Sequence, residues 1–299
     1  MTQGSSTRIA IRPRRPATAD PALVRVLVAA GAMLFVALFL LVPLVAVFSE
    51  ALRKGVAVYL ASISDPEARS AIRLTLLTAA IAVPLNVAFG LAASWAIANF
   101  EFRGKNALIT LIDLPVAVSP VISGLVFVLL LGTRTPLGGW LADHGLRIIF
   151  AEPGIILATI FVTFPLAARE LIPVMQAAGS SEEEAAVMLG ANGWQTFFRV
   201  TLPKVKLGVL YGMVLCNARA MGEFGAVSVV SGHIRGSTNT MPLYVEILYN
   251  DYRFAAAFAI ASLLTMLALA TLALKSWLER RGATRIPEAQ LGETERVAA

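Results

Sequence analysis

The chain has 299 residues, of which 57% are hydrophobic and only 15% are charged, and its mean hydropathy is +0.74. A soluble domain carries roughly 25% charged residues, so this composition excludes an ordinary soluble fold with a charged surface. The formal net charge is +6. The single cysteine, Cys216, permits neither a disulfide within the chain nor a cysteine-based metal site.

The N-terminal segment 1–23 is basic and is followed by an apolar run of 23 residues, Val26 to Phe48. The apolar region of a secretory signal peptide has only about 7–15 residues. We therefore predict that this run is a retained first transmembrane helix and not a cleaved signal. The arginines of the basic segment are Arg8, Arg12, Arg14 and Arg15.

Further apolar runs of bilayer length follow along the chain. About 20 residues of helix cross a hydrocarbon core, and the runs do not alternate with the period of barrel strands. We predict an all-α, polytopic membrane protein with six transmembrane helices in one domain, 24–280, between a tail at 1–23 and a tail at 281–299. The predicted spans are 26–48, 74–100, 107–132, 153–176, 207–232 and 254–274.

Five prolines lie within these spans and are predicted to bend their helices, because each removes a backbone donor. They are Pro43, Pro84, Pro115, Pro120 and Pro165. Two roles of these prolines stay possible: they could form fixed kinks that set the shape of the bundle, or hinges that move during a transport cycle. The fourth and fifth predicted spans also contain charge, which within a membrane normally faces a bundle interior or a water-filled cavity.

Lysine and arginine are distributed unequally between the two sets of connecting segments. With the N-terminus inside, the inner segments 1–23, 100–106, 177–206 and 275–299 hold 14 of them, and the outer segments 50–70, 133–153 and 232–253 hold 7. This positive-inside pattern predicts that both termini are cytoplasmic. Cytoplasmic loops that face anionic membrane lipid account for the net charge, so no nucleic-acid partner is needed.

The outer connections carry turn and interface signals. The loop after the third span contains Trp140 at the predicted membrane surface. In the last outer loop, Pro242 to Tyr249 is predicted to form a short amphipathic helix that lies on the membrane or meets a partner. The two histidines, His144 and His233, lie on different loops without a second ligand nearby, so they do not predict a metal site.

The segment Ser181 to Pro203, SEEEAAVMLGANGWQTFFRVTLP, is a polar passage between the fourth and fifth spans. Ser181 with Glu184 fits a capping box, and Gly190 fits a left-handed helix end. Asn192 with Gln195 offers a second cap, and a second helix is predicted from there until Leu202–Pro203 forces extended geometry. The predicted loop, 180–203, is therefore a short helix, a tight turn and another short helix on the cytoplasmic side.

A helix of two turns is marginal in water, so its apolar residues must be covered. One possibility is a loop that packs against its own bundle. The other is a loop covered by a partner, for which the small side chains of Ala185 and Ala186 would allow close approach.

The loop resembles the EAA signature of ABC importer membrane subunits. The matching residues are Glu184, Ala185, Ala186, Gly190, Leu202 and Pro203, with Val200 where the signature usually has isoleucine. The segments Leu108–Val126, Pro136–Leu141, Arg169–Met175 and Asn217–Gly236 resemble the W-type membrane subunits of sulfate/thiosulfate importers. The resemblance covers most of the chain from about residue 40 to residue 280.

The resemblance implies a type I ABC importer (MetI-like) permease fold and transport of sulfate or thiosulfate across a bacterial inner membrane. It implies a heterodimer with a homologous T-type permease subunit, two ATP-binding subunits and a periplasmic sulfate/thiosulfate-binding protein. The loop would be the helix that docks on the ATPase, which would bind ATP and Mg²⁺. This chain has no GxxxxGK[ST] phosphate loop, so we expect no cofactor in it and no enzymatic activity of its own.

The fifth predicted span contains Arg219 and Glu223, which are four residues apart and can pair across a helical turn. We predict that this span lines the translocation pathway, together with Asn217 and Ser228. Arg219 would either meet the passing oxyanion or form a structural pair with a carboxylate. Asp113 in the third span is predicted to be a helix-end or inter-subunit partner.

Two alternatives to a sulfate permease stay open at this point. The first is the same type of permease carrying another oxyanion, molybdate or tungstate. The second is an ion-coupled secondary transporter that uses Arg219, Glu223 and Asp113 as a charge relay. A membrane enzyme is disfavoured, because no nucleophile–base pair or metal cluster is recognisable in the sequence.

Overall fold

The computed structural model describes residues 22–283, and this part of the chain consists of helices without a strand. One π-helical turn, Ala37–Leu41, joins the first two helices, and another, Phe197–Thr201, follows the tenth. The helices are α1 (Ala22–Val36), α2 (Val42–Leu52), α3 (Val56–Ser64), α4 (Pro66–Asn99), α5 (Lys105–Ala117), α6 (Pro120–Leu131), α7 (Pro136–Asp143), α8 (Glu152–Ala178), α9 (Ser181–Met188), α10 (Gly193–Thr196), α11 (Leu202–Met221), α12 (Gly225–Ser231), α13 (Met241–Asn250) and α14 (Phe254–Ala283).

Four helices are long and apolar enough to cross a membrane: Leu23–Leu52, Pro66–Asn99, Glu152–Ala178 and Phe254–Trp277. Two bent helix pairs raise the number to as many as six if each pair counts as one span. The chain is therefore an all-α, multi-pass membrane protein. The predicted tails at 1–23 and 281–299 lie almost wholly outside the described residues.

The chain divides into two compact units, and the first ends at Val47. In it, the π turn precedes Pro43, and the backbone remains helical through the proline. Since proline has no N–H to donate, a locally wider turn allows the helix to continue where a regular α-helix would lose a bond. The exposed side chains of this helix, such as Leu34 and Phe39, are apolar, as a lipid or protein contact requires.

The second unit is built around α4, α8 and α11, which pack directly on one another. Residue Asp65 caps α4 by accepting a hydrogen bond from the Glu67 backbone N–H at 2.9 Å, and Pro66 occupies the first turn. This cap explains why α4 begins eight residues before the apolar run predicted from residue 74. Inside the bundle, Asn86 of α4 donates to the Thr163 hydroxyl of α8 at 2.7 Å.

The third predicted span, 107–132, is not one continuous helix. Helices α5 and α6 meet at an angle of 105° at Val118 and Ser119. The residue before a proline is disfavoured in the helical region, and Ser119, which precedes Pro120, has ψ 133°. The prediction of a single bent helix was wrong here, because the chain leaves helical geometry completely. By contrast, Pro84 and Pro165 lie inside unbroken helices.

Helix α13 corresponds to the amphipathic segment predicted at Pro242 to Tyr249, but its environment differs from the prediction. Met241, Tyr244 and Leu248 are buried in a cluster with residues of α4 and α14. The Met241 backbone N–H also donates to the Thr75 hydroxyl at 2.8 Å. Burial, together with the nearby carboxylates of Asp65 and Glu67, raises the pKa of Tyr244. The apolar face of α13 therefore packs on α4 and α14 and is not available to contact a membrane surface.

Helix α4 approaches α8 closely at Gly90, which predicts that this position is sensitive to side-chain size. A Cβ atom at this position would lie 2.7 Å from the Ala167 Cβ and 3.0 Å from backbone atoms. Overpacking of this kind costs about 1–3 kcal/mol or more, so Gly90→Val should lower the melting temperature of the purified protein. The control is Gly31→Val, since nothing lies within 4 Å of that site. Equal melting temperatures would contradict this packing.

Candidate functional site

The segment between α8 and α11 forms a compact projection, which we call the loop module, residues 179–203. It contains α9, α10 and the second π turn. Gly179 has φ 66° and Gly190 has φ 88°, a region that favours glycine. At Gly190 the Ala191 N–H bonds to the Ala186 carbonyl at 3.0 Å and the Gly190 N–H to the Val187 carbonyl at 2.9 Å. These two bonds are a Schellman motif, which confirms the helix end predicted at Gly190.

The first cap of the loop module differs from the prediction. Helix α9 begins at Ser181, so Ser180 is the cap residue and the capping box predicted for Ser181 with Glu184 was wrong. The Ser180 hydroxyl donates to the Glu184 carboxylate at 2.5 Å, and the Glu184 N–H donates to the Ser180 carbonyl at 2.9 Å. The turn at Gly179 moves the start of the helix one residue earlier than the pattern of acidic residues indicates.

The second cap is a complete capping box. The Gln195 backbone N–H donates to the Asn192 side chain at 2.9 Å, and the Gln195 side chain accepts from the Asn192 N–H at 3.0 Å. We predicted that the helix that starts there would end at Leu202 and Pro203, and this was wrong. It continues through the π turn into α11, because the wider turn before Pro203 lets the helix continue past a residue that has no N–H to donate, as at Pro43.

The loop module carries exposed apolar side chains, although its segment is a polar passage in the sequence. Met188 is 88% exposed and Leu189 is 90% exposed. Ala185 of the signature is exposed, and Ala186 is half-buried. We call the following set the loop patch: Val187, Met188, Leu189, Trp194 and Phe198.

The inner side of the loop module is held by Glu183, which joins α9 to the end of α4 and, within the module, to the π turn that leads into α11. Its carboxylate accepts a hydrogen bond from the Asn99 side-chain amide at 2.6 Å and another from the Thr201 hydroxyl at 2.6 Å. Asn99 is the last residue of α4, and Thr201 immediately precedes α11. Trp95 of α4 also packs edge-on against Phe197, with ring centroids 5.7 Å apart. The loop module therefore packs on its own bundle with one side and exposes the other.

Sequence reasoning missed the role of Glu183. The residue stands between Glu182 and Glu184 in a run of three glutamates, all of which fit a favourable first helical turn. Its partners are 84 residues and 18 residues away along the chain. No local pattern distinguishes it from its neighbours, because the contacts arise only when α4, α9 and α11 are packed together.

The predicted charge pair of the fifth span is present, at a break in the helix. Arg219 Nη1 lies 2.5 Å from Glu223 Oε2. Helix α11 ends at Met221 and α12 begins at Gly225, with 50° between them, so the predicted continuous span 207–232 is broken. Glu223 is 1% exposed in its side chain, whereas Arg219 is 40% exposed. The second carboxylate oxygen of Glu223 accepts the Ala226 N–H at 3.0 Å.

Glu223 therefore connects the two halves of this span. It forms an ion pair with the Arg219 guanidinium of α11 and accepts a hydrogen bond from an N–H in the first turn of α12, where a negative charge is favoured by the helix dipole. A buried glutamate between two helices can pair with a partly exposed cation and bond to the start of the next helix at once. This arrangement favours a structural role for the pair over an open anion site.

The other predicted pathway residues lie around the same helices but do not form one cluster with the pair. Asn217 donates to the Thr271 hydroxyl of α14 at 3.2 Å and lines an apolar cavity of about 520 Å³ between α4, α11 and α14. The Ser228 hydroxyl donates to the Gly225 carbonyl at 2.8 Å, so it is used within α12. Gly225 itself lies close to Pro120 of α6.

Asp113 does not join Arg219 and Glu223. It accepts from Arg169 Nε of α8 at 2.6 Å, and both side chains are nearly half exposed. Asp113 therefore has a partner within the chain, and its predicted role as a helix-end or inter-subunit partner stays a prediction. The two ion pairs lie at two different helix contacts, so Asp113 does not form the connected set with Arg219 and Glu223 that the charge relay requires. Among residues 22–283, no three His, Cys, Asp or Glu side chains are grouped to hold a metal ion.

Comparison with known proteins gives the family of the chain. Residues 86–283 match the model for the binding-protein-dependent transport system inner membrane component. The chain is 53% identical over 249 residues to the sulfate transport system permease protein CysW of Escherichia coli, covering 83% of this chain and 86% of the relative. It is 34% identical over 254 residues to the sulfate transport system permease protein CysT of the same organism, covering 85% and 92%.

Among solved structures, the chain is similar to a subunit of a bacterial alginate ABC transporter in complex with an alginate-bound periplasmic protein. The TM-score is 0.73 at 17% identity, over 87% of this chain and 94% of the other. At that identity the likeness concerns the fold. A family match over about two thirds of the chain, a relative that is 53% identical over 249 residues and a shared helical fold lead to one conclusion: the chain belongs to the family of inner membrane components of binding-protein-dependent transport systems.

Proposed function

We propose that this chain is the membrane permease subunit of an ATP-driven importer that moves sulfate or thiosulfate across the inner membrane of a bacterium. The cargo is supported by the 53% identity to a sulfate permease protein over 83% of the chain. The chain is also 34% identical to the sulfate transport system permease protein CysT of Escherichia coli, which supports a heterodimer with a homologous T-type subunit.

The observation that carries the proposed mechanism is the loop patch. Five large apolar side chains project from a loop module whose inner side is already held by the bundle. An exposed apolar patch of this kind marks a protein interface. We assign it to a separate ATPase subunit, which binds ATP and Mg²⁺ and does the hydrolysis. The coupling residues are Glu184, Ala185, Ala186, Gly190, Leu202 and Pro203.

In this mechanism the chain conducts cargo and performs no catalysis. Closure of two ATPase subunits moves the loop module, and the bundle changes the side on which its cavity is open. The direction of transport requires cargo affinity that differs between the two states. A periplasmic sulfate/thiosulfate-binding protein would deliver the anion, and the periplasmic protein in the solved alginate transporter supports a partner of that class. We assign both termini to the cytoplasm, on the side of the loop module, from the distribution of lysine and arginine.

The pathway is assigned to the bent fifth span, with Asn217, Arg219, Glu223 and Ser228 as its polar residues. The break at Gly222–Phe224 supports this assignment, since irregular backbone at membrane depth is tolerated where it is buried in protein or lines a cavity. Arg219 is the one cation of this set and is 40% exposed in the isolated chain. The anion would pass beside the Arg219–Glu223 pair without a permanent strong site.

The experiment is uptake of labelled sulfate into proteoliposomes that contain this chain, its T-type partner and its ATPase, with the binding protein added outside. We expect uptake that requires ATP and saturates with sulfate or thiosulfate. Molybdate and tungstate serve as competitors, and transport of either in preference to sulfate would overturn the cargo. Uptake that a protonophore stops at constant ATP would instead support an ion-coupled secondary transporter.

A further inference from the structure

We propose that Glu183 is a positioning residue that transmits the displacement of the loop module to α4 and α11. This inference rests on the proposed function and adds to it a specific mechanical connection within the bundle. The residue lies outside the set that matches the EAA signature. It is assigned from its contacts alone.

The contacts of Glu183 differ from those of the adjacent glutamates. Glu182 is 64% exposed and lies 3.6 Å from Lys204, a separation at which a surface ion pair contributes little. Glu184 bonds within its own turn, to Ser180. Of the three glutamates, only Glu183 bonds both to the end of α4 and to the π turn before α11, and both of these hydrogen bonds are 2.6 Å long. Hydrogen bonds to an ionised carboxylate are short and are about twice as strong as neutral ones.

The partners of Glu183 are placed where a force can reach the membrane domain. Asn99 ends the 34-residue helix α4, and Thr201, which is 3% exposed, directly precedes the 20-residue helix α11. A 20-residue helix is about 30 Å long, and the far end of α11 is the break that holds Arg219 and Glu223. A shift of α9 therefore pulls on two rigid helices at once, one of which ends at the proposed pathway.

Apart from the Trp95–Phe197 contact, which involves the π turn and not α9, the loop module packs loosely against the end of α4. A cavity of about 650 Å³ lies between the loop module and the end of α4, and Trp95, Asn99, Glu183 and Thr196 are among its lining residues. Because this space is not filled by side chains, the loop module is not in tight van der Waals contact with α4 there. Without the Glu183 bonds, α9 could move into that space without moving α4.

The test compares Glu183→Ala with Glu183→Gln in the assembled transporter. Glutamine can accept the Thr201 hydroxyl and donate to the Asn99 carbonyl oxygen if the Asn99 amide turns over, so it should preserve the connection. We expect Glu183→Ala to lower the amount of sulfate transported per ATP hydrolysed by at least about tenfold, because it removes both hydrogen bonds to the carboxylate. Glu183→Gln should restore it to near the wild-type value. Glu182→Ala, which removes the same charge from the same helical turn, is the matched control.

The outcomes separate this inference from the proposed function. Wild-type transporter without ATP-dependent uptake would reject the function. A wild type that transports, with Glu183→Ala retaining the wild-type ratio of uptake to hydrolysis, would reject only the role of Glu183. A Glu183→Ala complex in which both activities fall in parallel would also reject it, because that result describes a loss of folded protein or docking.

Substitution of the two partners provides a second measurement if Glu183→Ala does not assemble. Thr201→Val and Asn99→Ala each remove one partner while leaving the carboxylate in place. If Glu183 acts through these bonds, each variant should lower the amount of sulfate transported per ATP hydrolysed, although Glu183→Gln does not. A wild-type ratio of sulfate transported to ATP hydrolysed in both Thr201→Val and Asn99→Ala would overturn the proposal.

Discussion

Leu189→Glu should abolish ATP-driven uptake and prevent co-purification of the ATPase subunit, while the permease chain still folds and inserts. Leu189 is 90% exposed, so a substitution there should change folding stability by no more than about 0.5 kcal/mol. At an apolar docking surface, however, burying an unpaired carboxylate costs several kcal/mol. Since about 1.4 kcal/mol is a tenfold change in affinity, we expect at least a 100-fold loss of ATPase binding.

Two controls separate docking from general damage. Leu189→Met keeps an apolar side chain of similar size, and it should leave ATPase binding within a few-fold of wild type. Leu146→Glu places the same new charge on another loop, at a residue that is 54% exposed, and it should retain the ATPase completely. Retention of the ATPase by Leu189→Glu would show that the loop patch is not the docking surface.

The loop module illustrates how far local sequence patterns extend. The end of α9 at Gly190 and the capping box of Asn192 and Gln195 both depend on residues within five positions of one another, and both were predicted correctly. The start of α9 was misplaced by one residue, because Ser180 and Ser181 are equivalent in pattern and the turn at Gly179 decides between them. Glu183 could not be identified, since its partners belong to other elements.

The spans show the same distinction on a larger scale. Apolar length predicted six crossings, and the structure has four continuous helices with two bent pairs. The break before Pro120 was interpreted as a kink, because a proline signal alone does not give the angle. At Gly124 a Cβ atom would lie 2.7 Å from the Ala226 carbonyl oxygen, so α6 packs closely on α12. That long-range contact fixes the direction of α6, and it is not encoded in any local pattern.

The two breaks are related in space. Helix α6 follows the first break and α12 follows the second, and these two short helices pack on each other through Gly124 and Ala226. The Ala226 N–H is also the donor to Glu223. The Arg219–Glu223 pair thus lies at the point where α11, α12 and, through them, α6 meet. A substitution in this pair should therefore alter the packing of both bent spans.

The second large effect is therefore expected at Arg219. Arg219→Gln should prevent assembly of the permease, because it leaves the carboxylate of Glu223, 1% exposed, without its cation. Removal of one partner from a buried ion pair costs about 3–5 kcal/mol, a large part of a typical folding free energy. Glu223→Gln should be milder, since Arg219 is 40% exposed and can be solvated, while glutamine can still accept the Ala226 N–H.

The double variant Arg219→Gln/Glu223→Gln decides between the two roles of Arg219. Two neutral amides of similar size leave no charge unpaired, so the complex should assemble again, which size-exclusion chromatography and immunoblotting of all subunits would measure. If the pair is structural, sulfate uptake by this variant should return to within about tenfold of wild type, as expected where neither buried charge is left uncompensated. If Arg219 contacts the passing anion, the complex should assemble but transport nothing, because a neutral amide cannot replace the cation. The burial of Glu223 and its hydrogen bond to α12 lead us to expect the first result.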